Sequence, residues 1–475
     1  MFRVYFLREI NMTVDRGEDL TTRSSWTGKA AFVLAAAASA VGLGNIWRFR
    51  YLAAKYGGGT FLLVYILMIF TFGVSLLLLE TALGRRTGKS AIAAFKSYGK
   101  KYAFIGVLAS AVPFIITCYY CVIGGWVTKY AATYISGGGH SLAADAAGAF
   151  TGFITSPVES FAWAFLFVGA TVLIVALGVE KGIDKSNLVM MPLLVVIAIG
   201  IAIFSIMQPG AGEGALYYLV PDLSKISPEL LIAALGQLFY SMSLAMGIMI
   251  TYGSYAKKNS SLTTSTAQIA GFDFGISFFA GLMIIPAAFA SLGGGDAIAA
   301  KAGPSLMFIT LPEVFDKMGS FGGIIGGLFF VLVFFAALTS AISLTETLVS
   351  IICDATGCKR RKAIISVIIY FAITVTLVNL GYNKLDFIQP LGEGTSLLDF
   401  FDFLSNTVMM PIVAILTCVF VGWIIKPKEI IDEVRISSKF RFAGAWSVMI
   451  KYVCPILIAV ILISYTAAQF GVISI

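Results

Sequence analysis

Within the first long apolar run of the chain, residues 38–50 read ASAVGLGNIWRFR. A helix at the centre of a bilayer is a poor place for Gly42, Gly44 and Asn45. Backbone amides in hydrocarbon must be paired within their segment, or each costs several kcal/mol. A glycine costs about 1 kcal/mol relative to alanine in a helix interior. Gly42 and Gly44 are two residues apart and do not share one packing face. A broken helix is therefore the favoured reading, and close helix packing the alternative. The stretch ALGQLFYSMSLAMGIMITYGSY (234–255) repeats the anomaly with Gln237, Ser241, Ser243 and Gly247 at its centre. Carbonyls freed at such breaks can ligate a cation, and freed amides at positive helix ends can hold a carboxylate. The chemistry expected of the pair is joint binding of an ion and a zwitterion.

Other chemistries have less support. The cysteines (Cys118, Cys121, Cys353, Cys358, Cys418, Cys454) are scattered, and Cys118-x-x-Cys121 lies inside an apolar run, where small packing residues are the plainer reading. The single histidine, His140, falls in a connection, which weakens the case for a membrane-bound enzyme. Neither pore-lining rings nor repeated filters mark a channel, which stays a lesser alternative.

The elements that must position these residues are membrane spans. The 475 residues are 59% hydrophobic and 12% charged, outside the usual range of soluble domains. Apolar segments fall near 29–52, 57–84, 103–135, 157–179, 187–207, 229–255, 267–293, 322–353, 363–381, 395–424 and 447–470, eleven in all. The connection GRRTGKSAIAAFKSYGKK after the second segment holds six Lys or Arg and no acid, whereas 136–156 holds no Lys or Arg. Lys257-Lys258 and CKRRK follow the sixth and eighth segments. This pattern places the N-terminus in the cytoplasm and, with an odd number of spans, the C-terminus outside a cell membrane. It also accounts for the net charge of +8 without a nucleic-acid partner. Residues 1–28 are polar, show no signal-peptide core, and are expected to form a cytoplasmic segment. The expected fold is an all-α polytopic membrane protein with a single transmembrane domain over 29–470. Breaks in spans one and six imply an inverted five-plus-five helix repeat, about 29–207 and 229–424, plus an extra span at 447–470.

The chain resembles the neurotransmitter:sodium symporter family, in its prokaryotic eleven-span form. The resemblance rests on WTGKAAFVLAAAASAVGLGNIWRFRYLAAKYGGGTF, PFIITCYYCVIGGW, ALGQLFYSMSLAMG, FFAALTSAIS and LLDFFDFLSN, in order across residues 23–470. It implies two sodium sites: one from the Ala40 carbonyl, Asn45, Ser241, Asp273 and the substrate carboxylate, the other from the carbonyls of Ala38, Val41 and Ala336 with the hydroxyls of Thr339 and Ser340. Hard oxygen ligands suit such a cation. Taken alone, Thr339 and Ser340 would be read as bonding back to their own helix; with AVGLGN across the bundle that reading is secondary. Many relatives carry Asn where this chain has Asp273. Chloride-dependent relatives use groups matching Tyr65, Gln237, Ser241 and Ser277, so Asp273, one turn before Ser277, is expected to supply the charge and make chloride unnecessary.

Amine-transporting relatives place Asp where this chain has Gly42, and a glycine there leaves room for a substrate carboxylate. The resemblance implies that Tyr120 and the amides near Leu43 and Gly44 hold it. Ser39, Ile116, Tyr240, Ser243, Met246, Ser340 and Leu344 would line a pocket for a hydrophobic or aromatic amino acid; for Ile116, Met246 and Leu344 ordinary packing is the alternative. Arg48 with Asp402 would gate the outside, and Arg23 with Asp354, braced by Tyr255 and Ser254, the inside. Arg50 stands where many relatives have proline, and Asp399 lies near Asp402. Gly182, ten residues before Pro192, matches a spacing at which relatives unwind the inner end of span five. The implied function is sodium-coupled symport of an amino acid by alternating access, with no enzymatic activity. A transport-inactive sensor of the same fold is the alternative. Partners are the amino acid and membrane lipid; the oligomeric state stays open.

Overall fold

A computed structural model describes residues 25–292, 294 and 306–472. It contains helices α1 (Lys29–Ala40), α2 (Gly44–Lys55), α3 (Gly59–Thr87), α4 (Lys100–Ile135), α5 (Pro157–Ala176), α6 (Val179–Ile206), α7 (Pro228–Ser241), α8 (Ile248–Ser254), α9 (Leu262–Ala290), α10 (Gly322–Thr356), α11 (Arg360–Leu380), α12 (Leu397–Ile424), α13 (Pro427–Arg435) and α14 (Ala443–Gln469). Among the described residues, nine of these are long and apolar enough to cross a membrane unaided. A further span is the pair α1 and α2, bent by 61° at its break. The pair α7 and α8, interrupted over 242–247, supplies the sixth span. Nine helices and the bent pair thus match ten of the expected segments among the described residues, α7 and α8 lie in the stretch read as the sixth, and α13 is an extra helix in a connection.

Local sequence explains the ends. Ser227 caps α7 by accepting from Leu230 N–H at 3.2 Å, and Pro228 follows at the first helical position. Ser396 and Asp399 form a reciprocal cap at the start of α12. The long connections hold short helices, Gly139–Ala144, Ala146–Thr155, Ala211–Leu219 and Leu311–Lys317.

The outer surface is apolar, as a bilayer requires: Leu67, Val196, Ile373 and Ile463 are 59–68% exposed. Inside, α3 and α8 approach so closely that a Cβ on Gly84 would lie 1.9 Å from the Ile250 carbonyl, and one on Gly253 2.2 Å from the Thr81 carbonyl. This small-residue contact makes the second span and the end of the sixth one unit. α4 packs along α10, and α1 lies between α9 and α10.

Two boundaries differ from expectation. The fifth span begins at Val179, not near 187, because a widened turn over Val179–Asp184 adds to it. Gly182 sits in that turn and Pro192 inside Lys185–Ile206, so the interval between them is wound. Trp26 is 1% exposed, so packing into the bundle starts before residue 29.

Candidate functional site

α1 stops at Ala40, and Val41 turns to extended backbone with ψ 90°. The Gly42 N–H then donates to Asn45 Oδ1 at 3.1 Å. The Ser39 carbonyl accepts from Ser243 Oγ at 2.9 Å and Ser340 Oγ at 3.2 Å, so the sixth and eighth spans reach into the break of the first. In the sixth span Ser243, Ala245 and Gly247 take positive φ of 52°, 60° and 72°. The first two are side-chain residues in a conformation that costs of order 1–3 kcal/mol each, and such strain concentrates at functional sites. Glu80, on α3, accepts from Ala245 N–H at 2.7 Å and so holds that strained turn. Sequence reading missed Glu80, although a lone acid within an apolar span is the available signal.

The carboxylate of Asp273, on α9, is fully buried. Its Oδ1 accepts from Asn45 Nδ2 at 2.7 Å; its Oδ2 accepts from Tyr65 at 2.9 Å and Ser241 at 3.3 Å. Tyr65 and Ser241 lie 2.7 Å apart, and Asn45 Nδ2 also donates to Ser277 Oγ at 2.9 Å. Gln237 donates to the Gly44 carbonyl at 3.1 Å. Asn45, Tyr65, Ser241 and Ser277 thus surround a buried carboxylate where the first, second, sixth and seventh spans meet, with the buried Ala40 at the adjoining helix end.

Gly42 and Gly44 line the other side of the break. A Cβ on Gly42 would stand 2.9 Å from Ser340 Oγ and 3.4 Å from the Tyr120 hydroxyl. That hydroxyl is buried and makes no well-formed hydrogen bond, with Ser340 and the Leu43 amide beside it. A buried donor without a well-formed bond costs about 1–3 kcal/mol, so an acceptor placed in the break would relieve that cost. A Cβ on Gly44 would enter the Tyr240 ring, 2.2 Å from Cδ1. The Tyr240 ring carries the Arg48 guanidinium 5.6 Å from its centroid, and Tyr465 lies at 5.8 Å from the same group. Leu43, Ile116, Met246 and Leu344 are buried on the surrounding spans.

The second expected sodium set lies on α1 and α10, with Ala38, Val41 and Ala336 fully buried. Here Thr339 Oγ1 bonds back to the Phe335 and Ala336 carbonyls at 3.0 and 3.1 Å, while Ser340 turns across to the first span. The two hydroxyls, expected to act together, thus face different partners.

No ion pair joins Arg48 to Asp402: Arg48 is taken up by two aromatic faces, and Asp402 accepts from Asn406, one turn on, at 2.7 Å. Asn406 also donates to Tyr119, at 3.0 Å, tying the tenth span to the third. Arg50 is fully buried over the Phe329 ring, and exposed Asp399 is engaged in its cap. At the opposite end Arg23 lies outside the described residues. Asp354 accepts from Ser90 N–H at 2.7 Å. Tyr255 donates to Glu346 at 2.9 Å, and Glu346 is forked by Arg360, an ion pair that sequence reading missed. Trp26 Nε1 donates to the Tyr252 carbonyl at 3.0 Å, and Thr27 Oγ1 to Asp184 at 3.0 Å, which seals the start of the first span against the fifth and sixth.

A helical membrane bundle with two spans broken around a buried carboxylate, beside a buried hydroxyl without a well-formed bond, has the design of a secondary transporter. The sequence model of the sodium:neurotransmitter symporter family matches residues 23–138 and 157–472, and the chain belongs to that family, whose members are transporters. It is 35% identical over 445 residues to an uncharacterized sodium-dependent transporter, YhdH, of Bacillus subtilis, covering 92% of this chain and 97% of the relative. A second, from Haemophilus influenzae, is 34% identical over 460 residues, covering 93% and 98%. The crystal structure of MhsT in complex with L-phenylalanine is 37% identical and superposes with a TM-score of 0.83, covering 93% of this chain and 100% of the other. The protein is a sodium-dependent, multi-pass membrane transporter.

Proposed function

We propose that this transporter couples two sodium ions to the uptake of an amino acid by alternating access, without chloride. The observation that carries the substrate class is the Tyr120 hydroxyl, buried beside Gly42 without a well-formed hydrogen bond, in a pocket with no room for an acidic side chain at residue 42. It donates to the substrate carboxylate, together with amides freed at Leu43 and Gly44. The ammonium group meets helix-end carbonyls. Ile116, Met246 and Leu344 then accept a hydrophobic side chain, and the L-phenylalanine bound by MhsT supports a large or aromatic one.

Sodium enters as cargo. In the first site Asn45, Ser241, Asp273 and the Ala40 carbonyl surround it with the substrate carboxylate, so each partner lowers the other's desolvation cost and binding is coupled. In the second, Ala38, Val41, Ala336, Thr339 and Ser340 hold it, which requires Thr339 to exchange its back-bond for the ion. Asp273 already accepts from Tyr65 and Ser241, two of the groups that would otherwise hold chloride, and this supports chloride independence. Arg48 and Asp402 close above the pocket; Arg23, Asp354 and Tyr255 close below it, on the cytoplasmic side given by the basic connections.

The driving force is adequate. One cation crossing 100 mV releases about 2.3 kcal/mol, and a tenfold gradient adds about 1.4 kcal/mol. Two sodium ions supply roughly 7 kcal/mol, enough for about 10⁵-fold accumulation of a neutral amino acid. A binding screen of the purified chain over the twenty amino acids, with sodium or with choline, tests substrate class and ion dependence together. Tight binding confined to hydrophobic or aromatic amino acids in sodium is expected; binding indifferent to sodium overturns the reading.

A further inference from the structure

The connection between the tenth and eleventh spans uses its acids inward. Glu433 on α13 is buried and meets Arg85 Nε and Lys258 Nζ at 2.7 Å each, and Glu429 pairs with Arg86. α13 is thereby tied to the end of α3 and to the connection after α8. The chain then reads RISSKFRF over 435–442, three cations and no acid. Arg435, Ser438, Lys439, Phe440 and Arg441 line a shallow, open surface depression. Arg435, Lys439 and Arg441 are exposed and, among the described residues, in no ion pair; exposed Asp432 pairs with none of them.

Apolar side chains flank this basic loop: Ile436 is 58% exposed and Phe442 77%. α14 begins at the next residue, Ala443. At the end of α12 and within α14, exposed Trp423 and Tyr452 pack at 5.4 Å, with the Lys451 ammonium 5.8 Å from the Trp423 ring. Trp and Tyr with a snorkelling lysine are the side chains that settle at a membrane–water boundary. The loop thus adjoins the start of the eleventh span.

We infer that residues 435–442 form a binding site for an anionic phospholipid, whose phosphate is held by Arg435, Lys439 and Arg441 while Ile436 and Phe442 enter the acyl region. Unpaired cations beside a span attract anionic headgroups, and arginine grips phosphate through its forked donors. A soluble anion gives no reason for the two exposed apolar residues; a lipid accounts for both. Because α13 is bolted through Glu433 to Arg85 and Lys258, the bound lipid braces the ends of the second and sixth spans.

The test is native mass spectrometry of the full chain in detergent, titrated with phosphatidylglycerol or phosphatidylcholine. The wild type is expected to bind its first phosphatidylglycerol about tenfold more tightly than phosphatidylcholine. The variant R435Q/K439Q/R441Q is expected to lose that preference, and K96Q/K100Q/K101Q, which removes the same charge elsewhere, to keep it. Phe442→Ser is expected to weaken lipid binding alone. Equal affinity of the wild type for both lipids, or equal loss in both triple variants, overturns the site. Displacement of phosphatidylglycerol by millimolar inorganic phosphate overturns the lipid in favour of a soluble anion.

Discussion

Asn45 Nδ2 lies 2.7 Å from Asp273 Oδ1, so the break in the first span is tied directly to a carboxylate on the seventh. Asp273→Asn removes the charge while keeping the shape. Charge-assisted hydrogen bonds contribute about 1.5–3 kcal/mol, so sodium affinity is expected to fall tenfold or more, with chloride partly restoring uptake in the variant. Wild-type uptake is expected to be unchanged when gluconate replaces chloride. Loss of wild-type uptake in gluconate would contradict this role.

The buried Tyr120 hydroxyl makes no well-formed hydrogen bond, so Tyr120→Phe costs the unliganded protein little. Thermal stability without ligand is expected to be unchanged or slightly higher, while amino-acid affinity falls roughly 10- to 100-fold through loss of one bond to a carboxylate. Gly42→Ala sets a methyl 2.9 Å from Ser340 Oγ and should weaken binding further. Isothermal titration in sodium reads both variants; full affinity in Tyr120→Phe would remove the residue from the site.

Glu80 holds the Ala245 amide within the strained break of the sixth span. Glu80→Ala leaves that amide unpaired and is expected to cost about 1–3 kcal/mol, seen as a lower unfolding temperature and impaired uptake. Glu80→Gln retains the accepting oxygen and should lose much less. Equal loss in the two variants would show that the charge, rather than the hydrogen bond, matters.

How much could be read beforehand divides by physical cause. The breaks at Gly42–Asn45 and Ser243–Gly247 were legible because glycine and polar residues at mid-membrane carry their penalty in the sequence itself. Asp273 was legible as a departure from relatives, and its meeting with Tyr65 depends on the fold. Glu80 and Glu346 sit in runs whose hydropathy hides a single acid, so their partners are set by the fold. Side-chain choices were not legible: Arg48 prefers two aromatic faces to Asp402, and Thr339 its own helix to the site, because competing partners of similar strength lie within reach.

His140 Nδ1 meets Asp316 at 2.7 Å across two connections outside the spans, and the carboxylate raises the imidazole above its ordinary pKa. A raised value means that the pair's contribution is fully present below the unfolded pKa of about 6.5 and is lost as pH rises through the folded one. Hydrogen exchange over 139–144, corrected for intrinsic rates, is expected to be more protected at pH 6 than at pH 9, and His140→Ala to abolish the difference. Equal protection at both pH values in the wild type would count against the tether.

The central claim is that sodium and an amino acid share the site between the two broken spans and cross together. Labelled L-phenylalanine uptake into proteoliposomes holding the purified full chain tests it most directly. The expected result is accumulation above the outside concentration under an inward sodium gradient, abolished when a sodium ionophore collapses that gradient. Sodium-dependent binding with no accumulation would contradict coupled transport and leave a sensor.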